Sequence, residues 1–139
     1  MSRSRAWDEV ARVAASGVRE GTLKLRDVVG LGDDELRALA TAAAALQRSG
    51  RHADARAVYS LLLLHDPTSS GAWRAMADLH HGVGDHAVAV ACYETAALLG
   101  GRDEVATRRE ARSLEQLGHP SLAAELGALS PRRSERGAS

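Results

Sequence analysis

Apolar residues fall at helical spacing along most of this chain, and the clearest run lies between residues 35 and 67. Leu39, Ala42, Ala43 and Leu46 recur every three or four positions, and Ala55, Tyr59 and Leu62 resume the pattern after a break at Gly50. That spacing puts the apolar side chains on one stripe of an α-helix, so two helices are predicted, with Pro67 closing the pair. Trp73, Met76 and Ala77 mark a third helix, and Ala89, Tyr93 and Ala96 a fourth, with Gly84 between them. A last pair carries Ala111 and Leu114 before Gly118, and Ala123 after it. Pro120 suits the first turn of its second helix, where a missing N–H is harmless, and Ser130-Pro131 stops it.

The pairs repeat. Gly50, Gly84 and Gly118 are spaced by thirty-four residues, as are Ala55, Ala89 and Ala123, and GRHADARAVY lies over GDHAVAVACY at that shift. Thirty-four residues is the period of the tetratricopeptide helix-turn-helix unit, in which glycine ends the first helix and a small alanine lets the second pack close. The expected fold is an all-α tetratricopeptide-repeat solenoid of three helix pairs with an extra N-terminal helix. Its divisions are residues 1–34 for that helix and a connector, about 36–69, 70–103 and 104–130 for the repeats, and 131–139 for a disordered tail. The third repeat is expected to be terminal, with Gly127 where Tyr59 and Tyr93 stand in the others.

Composition narrows the function classes. Eighteen basic and eighteen acidic side chains cancel, which argues against a broad nucleic-acid footprint or a polybasic membrane surface. The absence of phenylalanine, with abundant alanine and leucine, favours closely packed helices over strands. One cysteine cannot form an intramolecular disulfide, the N-terminus has no apolar signal region, and no stretch approaches the roughly 20 apolar residues of a membrane span. A bacterial cytoplasmic location is expected.

LHHGVGDHAVAVACY, residues 79–93, raises the question of a metal site. His80 and His81 are neighbours on one helix and point about 100° apart. His86 and Cys92 are six apart on the next and share no face. His52 and His86 are equivalent residues of two repeats, which makes packing the simpler role, and Cys92 reads as a small apolar residue. No metal or other cofactor is expected. The Gly-x-Gly of VVGLGDDE lacks the remainder of a phosphate loop, so Asp33 or Asp34 is expected to cap the first repeat helix. Glu104, Arg108, Arg112, Asp54 and Arg56 read as solvated helix surface, and no enzyme is expected.

Ahead of the repeats, Trp7, Val10, Ala11, Ala14 and Val18 form one apolar stripe. That helix either caps the first repeat or associates with a second copy.

The lead-in GTLKLRDVVGLGDDELRALA, residues 21–40, together with SGRHADARAVYSLLLLHDP, YETAALLG and the AxxLxxLG pattern around Ala111 and Gly118, resembles the class II chaperones of bacterial type III secretion. The resemblance covers most of the chain. It implies a homodimeric cytoplasmic chaperone, dimerising through Trp7, Val10, Ala14 and Val18, whose concave face holds an extended segment of secreted, hydrophobic translocator proteins until export. Carried over, the client groove comprises Arg37, Ala40, Ala44 and Gln47, then Arg74, Asp78 and His81, then Arg108 and Arg112. Family members carry aromatic residues where Ala40, Ala44 and Gln47 stand here, so this groove is expected to be wider and more polar, and its client different or bulkier at the anchors. Two other partners fit short tetratricopeptide proteins: a needle subunit, or a folded or regulatory protein docked on a general scaffold.

Overall fold

The structure, a computed structural model, describes residues 30–129. Among them are α1 (Asp33–Arg48), α2 (His52–His65), α3 (Ser70–Gly82), α4 (His86–Gly100), α5 (Glu104–Gln116) and α6 (Pro120–Leu129), with no strand. The expected N-terminal helix, with Trp7, Val10, Ala14 and Val18, and the expected disordered tail at 131–139 lie outside the described residues. The chain divides after Thr68 into two compact units.

In the first unit α1 packs on α2. Leu39, Ala42, Ala43 and Leu46 are buried, as the apolar stripe requires, and meet Ala55, Ala57, Val58, Tyr59 and Leu61. Leu61, rather than the expected Leu62, is the leucine of α2 that is fully buried; Leu62 is half-buried. The expected cap of α1 also differs. Gly32 is the N-cap and no side chain caps the helix, while Asp33, Asp34 and Glu35 all sit inside the first turn. Their charge opposes the positive end of the helix dipole instead of satisfying a particular N–H.

In the second unit α3 packs on α4, α4 and α3 on α5, and α5 on α6. Ala77 and Ala89 are completely buried, and Met76, Leu79, Cys92, Tyr93 and Ala96 complete the apolar core of the pair. Ser69 caps α3 and Asp103 caps α5, each accepting a hydrogen bond from the N–H three residues on. The third pair departs from expectation. Ala111 and Leu114 are only half-buried, and α5 buries Thr107, Glu110 and Ser113 beside Ala106.

The first helix of every pair ends in the same way. Gly50, Gly84 and Gly118 have φ of 82°, 82° and 84°. The glycine N–H donates to the carbonyl three residues back, and the next N–H donates five back: Arg51 to Leu46, Asp85 to His80 and His119 to Leu114. This is the Schellman closure, which satisfies the last carbonyls of a helix and turns the chain into the next one.

Candidate peptide-binding face

The first helices carry the residues expected to line a groove. On α1, Arg37 is exposed and lies 3.6 Å from Asp34, while Ala40, Ala44 and Gln47 are half-buried along one side. No aromatic ring stands among them. On α3, Arg74, Asp78 and His81 lie one turn apart and are all half-buried; on α5, Arg108 and Arg112 are exposed.

The structure brings the α3 and α5 residues together through partners that spacing alone does not announce. Asp78 accepts a short hydrogen bond from the Tyr93 hydroxyl, and its carboxylate also lies 2.9 Å from Arg109 Nη1. Burial and the Asp78 carboxylate push the Tyr93 hydroxyl well above its ordinary range, so it remains a donor. Arg109, absent from the expected groove, is therefore one tie between α5 and α3, while Arg74, Arg108 and Arg112 form no salt bridge with a described residue.

Next to that pair, the Nδ1 atoms of His81 and His86 each lie 2.8 Å from Ser113 Oγ, and the two rings meet edge to face at 5.7 Å. Ser113 is completely buried. A serine held between two histidines has the parts of a nucleophile, but no substrate could reach this one. Ser113 is a crosslink among α3, α4 and α5. His86 does pack, as expected, and the hydrogen bond is the part that packing does not convey.

A narrow recess with room for about one water molecule opens between α3, α4 and α5, lined by Arg74, Tyr93, Arg102, Thr107 and Glu110 among others. Arg102 holds Glu94 with two hydrogen bonds of 3.1 Å and lies 3.9 Å from Glu110. Arg102 keeps Glu94 ionised and lowers its pKa, whereas burial and the hydrogen bond to Glu94 push Glu110 up to about 8. The protonated Glu110 thus donates to the Glu94 carboxylate. Among the described residues no group of three or more His, Cys, Asp or Glu side chains is placed to hold a metal ion, and Cys92 is buried with its thiol pKa raised by that burial.

One signal for the missed residues was present in the sequence. Shifted by one repeat, Thr107, Glu110 and Ser113 fall on Trp73, Met76 and Leu79, so polar side chains occupy three apolar positions in a row. Nothing comparable marks Arg109 or the Glu94–Arg102 pair.

The tetratricopeptide repeat family model matches residues 36–79. No curated protein matches the sequence. Among solved structures, that of a mutant of MamA is similar, with a TM-score of 0.66 at 16% identity, covering 90% of this chain and 98% of that one. Among the described residues no helix is long and apolar enough to cross a membrane. Helix pairs of this kind build extended surfaces for protein partners. The chain is a protein of the tetratricopeptide-repeat type, with the all-α fold that its thirty-four-residue period predicts.

Proposed function

We propose that this protein is a non-enzymatic chaperone that holds an extended segment of a client protein against its first helices. The client we infer is a hydrophobic translocator of a type III secretion system, kept soluble in the bacterial cytoplasm before export, with the chaperone dimerising through Trp7, Val10, Ala14 and Val18. The observation that carries the binding reading is the side of α3 and α5 bearing Arg74, Asp78, His81, Arg108 and Arg112: polar, partly recessed, and crosslinked from beneath by Tyr93 and Ser113. Helices held together this way present a pre-formed surface to a passing segment, which lowers the ordering cost of binding. The identity of the client rests on the lead-in segment, residues 21–40. Masking apolar client surface requires only modest affinity, because a disordered segment spends part of its binding energy on becoming ordered.

Affinity capture from the native host under secreting conditions tests the reading. Recovery of one or two proteins with membrane-spanning helices, held through a segment outside those helices, is expected. Recovery of folded soluble proteins alone would favour a general scaffold, the reading to which the arginine-rich, aromatic-poor face of α3 and α5 lends its own support.

A further inference from the structure

We propose that the face of α3 and α5 receives a carboxylate side chain of the bound segment, at a subsite made by Arg112, Arg109 and His81, and that this docking takes up a proton at His81. The inference rests on the client-binding reading above and adds the chemistry of the ligand and a means of release.

The positive charge on this face is not balanced locally. Arg109 is neutralised by Asp78, but Arg74, Arg108 and Arg112 have no carboxylate partner among the described residues, although the whole sequence has equal numbers of acidic and basic side chains. Of the acidic side chains within α5, Glu110 faces the core and is 2% exposed, and neither Glu104 nor Glu115 forms a salt bridge with Arg108 or Arg112. An incoming carboxylate therefore meets the Arg112 guanidinium, whose planar fork suits it and whose charge is unspent, with the Asp78-paired Arg109 one turn away on the same helix.

His81 sits where such a ligand would arrive. It is half-buried on α3, one turn from Asp78, with His86 and Tyr93 of α4 against its ring, Ser113 on its Nδ1, and the charges of Arg109 and Arg112 acting on it from α5. Its Nε2 has no hydrogen-bond partner among the described residues. Burial, then His86 and the two arginines, hold its pKa below the ordinary 6.5, while Asp78 opposes them. A carboxylate bound to the arginines cancels much of the opposing charge and favours the imidazolium.

The hydrogen bonds accept that proton without loss. Ser113 has one proton to donate and can accept in return, so one histidine Nδ1 must be protonated and the other bare. When His81 carries protons on both nitrogens, its Nδ1–H donates to Ser113, the serine donates to His86 Nδ1, and Nε2–H of His81 remains for the ligand. The relay thus has a proper partner for every polar atom with a single imidazolium. This arrangement is peculiar to the later repeats: the residues one repeat earlier than His81 and Ser113 are Gln47 and Leu79.

Imidazole resonances of the intact protein, titrated alone and with a capped oligoglutamate peptide, test the proposal, with oligoglutamine as the neutral control. Oligoglutamate is expected to bind, to raise the His81 midpoint by about one pH unit, and to bind about three- to sixfold more tightly near pH 6 than near pH 8. Oligoglutamine should do neither. Arg112→Gln, an exposed change that leaves the fold intact, should weaken binding at every pH, and His81→Gln should retain binding but lose its pH dependence. Binding that leaves the His81 midpoint unmoved, or that survives Arg112→Gln unchanged, would overturn the subsite. A captured client segment that binds wild-type protein while oligoglutamate does not would overturn this inference and leave the client-binding reading standing; failure of both would remove that reading as well.

Discussion

Glu110 shows how a single residue can make stability depend on pH. In the folded protein its carboxyl titrates near 8, against an ordinary value of 4.5, because it is buried and donates to Glu94. Between those values the folded state keeps a proton that the unfolded state has released, so stability is full below 4.5 and falls as pH rises to about 8. Glu94 acts in the opposite sense and in a different window: its pKa is lowered, so its contribution is lost as pH falls below 4.5. Glu110→Gln keeps a donor toward Glu94 and cannot ionise. Urea unfolding of that variant should lack the decline across the window, which in the wild type should amount to about 2 to 4 kcal/mol. An unchanged slope would show that Glu110 is not the group responsible. At this scale the sequence is only partly readable. Thr107, Glu110 and Ser113 stand out once the repeats are aligned, because each replaces an apolar residue. Arg102 and Glu94 do not, because only the bend between α4 and α5 brings residues eight apart in the chain into a two-bonded pair.

Whole elements were far more legible than their partners. The glycine, alanine and tyrosine positions of the repeat located the helix pairs because each answers a backbone or packing demand that recurs in every unit. Gly84 illustrates the backbone demand: a Cβ there would meet no atom within 4 Å, so space is not the constraint, but φ of 82° is. Gly84→Ala should therefore cost about 1 kcal/mol in thermal unfolding, with a similar loss at the equivalent Gly50 and Gly118, and without local repacking. Ala89 illustrates packing. It is completely buried between α3 and α4, and Ala89→Glu places an unpaired charge there; loss of more than about 4 kcal/mol, seen as collapse of the helical circular dichroism signal, is expected. The element ends were harder to read. Asp33 and Asp34 resemble caps by residue type, yet α1 begins with them already inside its first turn, whereas Ser69 and Asp103 do the capping in the other two pairs.

For the molecule as a whole, the all-α repeat fold follows from a periodicity that each element shares, whereas the side proposed to face the ligand depends on residues that vary from one repeat to the next. Ala40, Ala44 and Gln47 on α1 give way to Arg74, Asp78 and His81 on α3, so no pattern averaged over the repeats describes the site. Ala44 is half-buried on α1 and outside the core stripe of Leu39, Ala43 and Leu46. Ala44→Glu should thus leave the helicity unchanged while abolishing client binding in a co-purification assay. Retained binding would remove α1 from the client surface. The most direct test of the central claim is hydrogen exchange of the protein with and without its captured client. Protection gathered on the exposed residues of α1, α3 and α5, and on the side chain-linked ends of α3 and α5 above all, is the predicted result. Protection confined to α2, α4 and α6 would place the client on the second helices and contradict the account.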